Sequence, residues 1–211
     1  MSADPRLARL LEHPAIWRGT SAVRAGAVPT GFAALDARLP GHGWPQSGLV
    51  EMLLPCFGAG ELYLLLPALA QLTSRPLARW CAWIAPPLEP FAPALAAHGV
   101  ALSRVLILHT AEPLWACEQA LRSGDCDVVL AFVKARVQAR ALRRLQLATE
   151  RGRSLGFILR TRHAAATRES SGAALQLKVE PTAGGARVTV LKSRGGVNGA
   201  LELSFRFATE P

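Results

Sequence analysis

Acidic side chains are scarce in this sequence. Fifteen Asp and Glu stand against 24 Lys and Arg, leaving a net charge of +9 and a pI near 10.6. Such an excess favours an anionic partner, nucleic acid or an acidic protein surface, unless it only reflects a genome that enriches Arg and Ala. Cysteine is sparse too: Cys56, Cys81, Cys117 and Cys126 stand far apart with no C-x-x-C pair. That spacing argues against a zinc site and a disulfide framework and fits a reducing cytoplasm. Three of the four lie in or beside apolar runs, where cysteine behaves as a small buried hydrophobe. The five histidines (His13, His42, His98, His109, His163) are scattered, without H-E-x-x-H or H-x-x-x-H spacing. No G-x-S-x-G elbow offers a serine nucleophile, and no G-K-S/T occurs anywhere. No metal or cofactor is therefore expected. The longest apolar stretch, around 62–72, is too short and too interrupted by proline to span a bilayer. The opening "MSADPRLARLLEHP" is broken by Asp4, Arg6, Arg9 and Glu12, unlike a signal peptide, so a cytoplasmic protein is expected.

What is present is a globular chain of 211 residues, half of them hydrophobic and 18% charged, long enough for one domain with a sizeable core. A short amphipathic segment (Leu7, Leu10, Leu11) leads into "HPAIWRG", which reads as an N-terminal helix or arm over 1–28. Residues 29–211 then form the single domain. Within it, strand-like runs at 48–54, 79–85, 104–109, 127–133 and 155–160 alternate with helical stretches at 60–73, 89–98, 112–123 and 135–151. Strands apolar on both faces, alternating with helices, predict a mostly parallel central sheet flanked by helices. After 172 three strand signals follow in succession, "ALQLKVE", "ARVTVLK" and "LELSFRF", the first two joined by a turn at "TAGG". The last alternates strictly, with Leu201, Leu203, Phe205 and Phe207 on one face, the mark of a half-buried antiparallel strand. The fold class is α/β with a C-terminal antiparallel meander.

The stretch "EMLLPCFGAGELYLLL" (51–66) has the layout of a phosphate-binding loop: a strand, a turn through Pro55, Gly58 and Gly60, then a helix. With "TGFAALDARLPGHGWPQSGLVEML" (30–53) before it and "SGDCDVVLAFV" (123–133) after it, the chain resembles the RecA-type recombinase core. "LLEHPAIWRG" (10–19) and the short length make it most similar to the ImuA family, the RecA-like proteins encoded with bacterial translesion-synthesis genes. The resemblance implies a RecA-like core, and against it the catalytic positions are missing. A phosphate loop needs G-x-x-x-x-G-K-S/T, so that amides cradle phosphate, lysine neutralises it and a hydroxyl holds Mg²⁺. Here Leu54 or Pro55 stands for the first glycine, Glu61 for the lysine and Leu62 for the hydroxyl. A carboxylate beside a triphosphate repels it, by roughly 1 kcal/mol in water at 4 Å and by more where the dielectric is lower. The Walker B aspartate falls on Phe132, the water-activating glutamate on Pro87 and the γ-phosphate sensor on Arg160. An enzyme is not expected.

Basic residues carry what remains. Arg136, Arg140, Arg143 and Arg144 follow i, i+4, i+7, i+8 spacing along the helix expected at 135–151. By the resemblance, Arg136 and Arg140 lie near the first of two regions where recombinases touch DNA, and Arg162, His163 and Arg168 lie in the second; Arg143, Arg144 and Arg160 are grouped with them as basic residues of the same segment. They are candidates for weak, sequence-independent phosphate contact, for an acidic protein surface, or for nothing beyond a solvated face. Lys192 and Arg194 in "LKSRGG", and Trp17 with Arg18, are candidate interface residues. The resemblance implies an accessory role in SOS-induced translesion synthesis, with ImuB, the error-prone polymerase and RecA as partners. The alternative is a cell-division inhibitor of the SulA kind, binding the tubulin-like division protein; a working nucleotide motor is a third reading.

Overall fold

Residues 26–161, 172–193 and 195–205 are described by a computed structural model of the chain. A small antiparallel ribbon joins β1 (Ala27–Val28) to β2 (Trp44–Pro45). The main sheet comprises β3 (Gly48–Leu54), β4 (Trp80–Ile84), β5 (Val105–Leu108), β6 (Cys126–Val133), β7 (Leu155–Thr161), β8 (Leu175–Thr182), β9 (Gly185–Ser193) and β10 (Gly199–Ser204). Between the strands run α1 (Ala33–Asp36), α2 (Glu61–Thr73), α3 (Ala92–Ala97), α4 (Pro113–Ser123) and α5 (Ala139–Gly152). The strand order is β10-β9-β8-β3-β7-β6-β4-β5. Strands β3 to β7 are all parallel, and β8 joins them in parallel against β3, with Val50 opposite Leu175 and Met52 opposite Leu177. The strand β9 runs antiparallel to both β8 and β10.

The runs of uninterrupted apolar residues are explained by this topology. The central parallel strands β3, β6 and β7 have helices on both faces, so both sets of alternating side chains are removed from water. On one side Val50, Met52, Leu54, Val128, Leu130, Phe157 and Leu159 pack with Leu64, Leu65 and Leu69 of α2. On the other, Leu49, Val129, Ala131 and Ile158 pack with Cys117 and Leu121 of α4 and Leu142 and Leu145 of α5. Each buried leucine contributes about 1.5–3 kcal/mol of transfer free energy. Gly152 is needed where α5 ends against α4: a Cβ there would stand 1.8 Å from the Leu121 carbonyl oxygen.

The meander is covered on one face only. Leu175, Leu177, Val179, Val188 and Leu203 join the α2 core. The opposite face carries the ion pairs Lys178–Glu180 at 2.7 Å and Arg187–Glu202 at 2.7 Å. The expected alternation thus holds through Leu203 and Phe205, while Phe207 lies outside the described residues. The helix expected at 135–151 begins only at Ala139, because Val137 turns into the core and Gln138 is extended (φ −71°, ψ 148°). Arg136 therefore belongs to the loop before α5. Most of the arm expected at 1–28 lies outside the described residues. Among the described residues no helix is long and apolar enough to cross a membrane.

At the N-terminal ends of the parallel strands, Arg79 ties four segments together. Its backbone N–H donates to Asp127 Oδ2 (2.7 Å) and its Nε to Asp127 Oδ1 (2.9 Å). Nη1 donates to the carbonyls of Gly124 (2.6 Å) and Gly152 (2.9 Å), and Nη2 to that of Arg153 (2.6 Å). A planar fork with this many donors has no lysine equivalent. Arg79→Lys is expected to cost about 2 kcal/mol in urea unfolding, because several charge-assisted bonds go together. An unchanged midpoint would show that the clamp is ornamental.

Candidate functional site

The loop between β3 and α2 is where sequence pattern and chemistry diverge. Gly58 (φ 80°) and Gly60 (φ 90°) both adopt left-handed backbone, which turns the chain sharply into α2. The first helical residue is Glu61, and only 2% of it is exposed. Its Oε1 accepts the Gly58 backbone N–H at 2.9 Å. The carboxylate folds back onto its own loop, at the positive end of the helix dipole. Gly60 has the Phe205 ring 3.3 Å from where its Cβ would be, so the turn is also closed from the meander side. Leu62 is half-buried against the core, and Pro55 is half-buried at the strand end.

Phe132, near the end of β6, is 4% exposed. Its ring meets Phe57 of the loop at 5.7 Å, edge to face, and Trp83 of β4 at 6.2 Å. Aromatic packing therefore fills the space between the loop and the ends of β4 and β6. Among the described residues no three His, Cys, Asp or Glu side chains form a cluster fit to hold a metal ion.

Arg160 corrects an expectation. Instead of facing a partner it is buried in the sheet, where its Nη1 is paired with Glu51 Oε1. Gln176 Nε2 donates to the other Glu51 oxygen at 2.9 Å, so β3, β7 and β8 are joined by one buried polar network. The signal was present in sequence, since "GLVEMLL" and "LGFILR" each carry one opposite charge in an apolar run. Arg140 and Arg143 do lie on the exposed face of α5, and Arg136 is exposed just before it. Arg144 is paired with Glu118 of α4. Lys192 stands on β9 opposite Gln176. Trp17, Arg18, Arg162, His163, Arg168 and Arg194 lie outside the described residues.

One set of exposed residues was not singled out by sequence pattern. Around the β4–β5 end of the sheet, Leu88, Phe91, Leu102, Leu106 and Trp115 are all exposed, Leu88 and Phe91 by more than 70%. Their exposure comes from position at a sheet edge, in the loops beside it and, for Trp115, in the first turn of α4, which an apolar residue's identity does not reveal.

The sequence profile described as "Cell division inhibitor SulA" matches residues 59–156. A cell division inhibitor SulA from Edwardsiella piscicida is 39% identical over 120 residues, covering 54% of this chain and 69% of the relative. The chain belongs to the SulA family. Another SulA, from Pectobacterium carotovorum subsp. carotovorum (strain PC1), is 33% identical over 101 residues, which cover 59% of its length and 46% of this chain. The crystal structure of SulA from Pseudomonas aeruginosa aligns with a TM-score of 0.44 at 28% identity, over 53% of this chain and 97% of that one. The SulA match replaces the ImuA assignment. ImuB, RecA and the error-prone polymerase go with it, as does the DNA contact. The two assignments predict the same alternation of strands and helices, so pattern did not separate them; residue identity within 59–156 does. Most of the stretches that suggested ImuA, 10–19 and 30–53, lie before that segment.

The cysteines bear on how this SulA-family chain can be probed. Burial pushes the Cys81 thiol up to about 12, and Cys117 and Cys126 are also raised by burial, while Cys56 in the loop is exposed. Thiols held neutral and buried are poor nucleophiles. A thiol-disulfide reagent at neutral pH should titrate one cysteine in the native protein and all four after unfolding. Loss of the fast phase in Cys56→Ser would identify it, and two or more fast thiols would contradict the burial of the others.

The aromatic filling at Phe132 gives a second test. Phe132→Asp places a carboxylate between Phe57 and Trp83 with no cation arranged for it. It should destabilise the fold by about 3 kcal/mol or more in denaturant titration. A near-neutral result would mean that water enters there.

Proposed function

We propose that this chain is a non-enzymatic inhibitor of cell division in the SOS response to DNA damage, acting by binding the tubulin-like division protein. The observation that carries this reading is the 39% identity to a cell division inhibitor SulA. The geometry agrees with a binding role, because the loop that would serve nucleotide chemistry is occupied by the chain's own side chains. We read the core as RecA-like and its loop as a degenerate phosphate loop, with Glu61 and Leu62 where lysine and a hydroxyl belong and Phe132 in place of the Walker B acid. The strand–loop–helix order and the glycine turn at 58–60 support that reading. The division into an arm over 1–28 and a single domain over 29–211 is part of it.

For the docking surface we favour the β4–β5 end. Leu88, Phe91, Leu102 and Leu106 lie within the segment matched by the family, on the edge strand β5 and in the connection that leads to it, and exposed apolar groups at a sheet edge mark interaction sites. Arg140 and Arg143 on α5 would add attraction to an acidic partner surface, affecting encounter rate more than final affinity. Trp17, Arg18, Lys192 and Arg194 stay candidates for further contact.

Expression in a bacterial host should produce long, undivided cells if this reading holds. Phe91→Ser with Leu106→Asp should restore division while lowering the melting midpoint by only a few degrees, since Phe91 is 71% exposed and Leu106 43% exposed on an edge strand. Binding to the purified division protein should weaken by roughly 30-fold or more, the equivalent of about 2 kcal/mol at a hot spot. Normal division on wild-type expression would sink the inhibitor reading; filaments that persist with the double variant would move the contact elsewhere.

A further inference from the structure

At the opposite end of the sheet from the Glu61 loop, the N-terminal strand ends border a pocket of about 480 Å³ that is open to solvent, with Arg75 and Arg153 exposed at its rim. Its walls are Gln46 and Ser47 before β3, Arg75 in the α2–β4 connection, Arg79 with Asp127, and Arg153 after α5, and Leu72 also lines it. The charges are unequal. Asp127 accepts from the Arg79 N–H and Nε, so this pair cancels within the wall. Arg75 and Arg153 add two positive charges, and among the described residues neither guanidinium has an ion-pair or hydrogen-bond partner. The carbonyls at the C-terminal end of α5 would by themselves repel an anion. Those of Gly152 and Arg153 are covered by Arg79.

A second observation concerns the backbone. Arg153 caps α5 in the left-handed conformation (φ 50°, ψ 48°), a position that glycine fills at little cost. A non-glycine residue there costs on the order of 1 kcal/mol. The carbonyl bond to Arg79 needs only backbone and would survive with glycine. What Arg153 adds over glycine is its guanidinium, which lines the cavity.

We propose that this basal cavity binds a small multivalent oxyanion, a phosphate-class ligand held between Arg75 and Arg153. The volume lies within the range of small-molecule sites. Arginine forks match the paired oxygens of such ligands. The site is separate from the loop at Glu61 and from the proposed docking surface, and it does not depend on the division-inhibitor reading. Bound there, the anion would bridge the α2–β4 and α5–β7 connections that Arg79 already holds together.

Inorganic pyrophosphate is the probe, titrated calorimetrically into the full chain at low ionic strength. Wild-type protein should bind it saturably and gain thermal stability in proportion to occupancy. Arg75→Gln and Arg153→Gly should each weaken binding by roughly tenfold or more, whereas Arg140→Gln, on α5 away from the cavity, should leave it unchanged. Arg153→Gly also guards against misfolding, because relieving the left-handed strain should leave its melting midpoint without anion at or above that of wild type. Absence of saturable binding by the wild type would overturn the proposal. So would Arg75→Gln or Arg153→Gly binding as the wild type does, or Arg140→Gln weakening binding equally, which would mark general attraction to a basic protein.

Discussion

Where the sheet is covered by helices on both faces, at β3, β6 and β7, no water reaches a charge the strands carry, and that constraint shapes the polar chemistry of its centre. Glu51 in β3 and Arg160 in β7 are both buried, and each would be intolerable alone, since breaking a buried pair costs about 3–5 kcal/mol. They answer each other across adjacent strands, with Gln176 of β8 satisfying the remaining carboxylate oxygen. The network also fixes register: a slip of β7 against β3 by one residue would turn Arg160 to the other face and orphan both charges. Specificity of strand pairing thus comes partly from a polar contact inside an otherwise apolar sheet.

The same economy governs the loop at the other end of β3. A turn that points backbone N–H groups inward at a helix N-terminus is an anion seat by construction. In this chain the anion is internal: the Glu61 carboxylate takes the Gly58 N–H, and the loop needs no ligand to satisfy that donor. A neutral side chain at 61 would leave such a seat open, whereas the Glu61 carboxylate occupies it. Phe57 and Phe132 then bring aromatic packing to the space beside it. In this loop the helix N-terminus is closed from within, by a carboxylate on one side and aromatic rings on the other.

Much of the scaffold was legible before any coordinates, because long apolar runs separated by helical periods admit few arrangements. The strands at 48–54 and 127–133 and the helix at 60–73 appear within a residue of their expected limits. The helix expected at 135–151 did not, since Val137 has the same apolar character whether it begins a helix or anchors a loop. Arg160 was misplaced for a related reason: a charged residue at a strand end looks solvent-facing until its partner, more than a hundred residues away in sequence, is known. The Arg79 clamp was invisible for the same cause, being built chiefly from carbonyl oxygens that no sequence pattern displays. Contacts between distant segments are what a linear reading loses.

Family membership was harder to read than fold, and the physics says why. The alternation of buried strands and amphipathic helices is demanded by the layered sheet, so any family sharing that sheet writes the same pattern; function resides in sites grafted onto it. Residues that could discriminate are those the sheet does not bury, such as Leu88, Phe91 and Leu102. The meander argues the converse. Leu175, Leu177, Val188 and Leu203 lie beyond the matched segment at 59–156, yet they complete the core under α2 and help bury Leu64 and Leu65. They are held in place by folding, whatever the chain binds. Folding accounts for the burial of these meander residues, and it does not account for the exposure of Leu88 and Phe91.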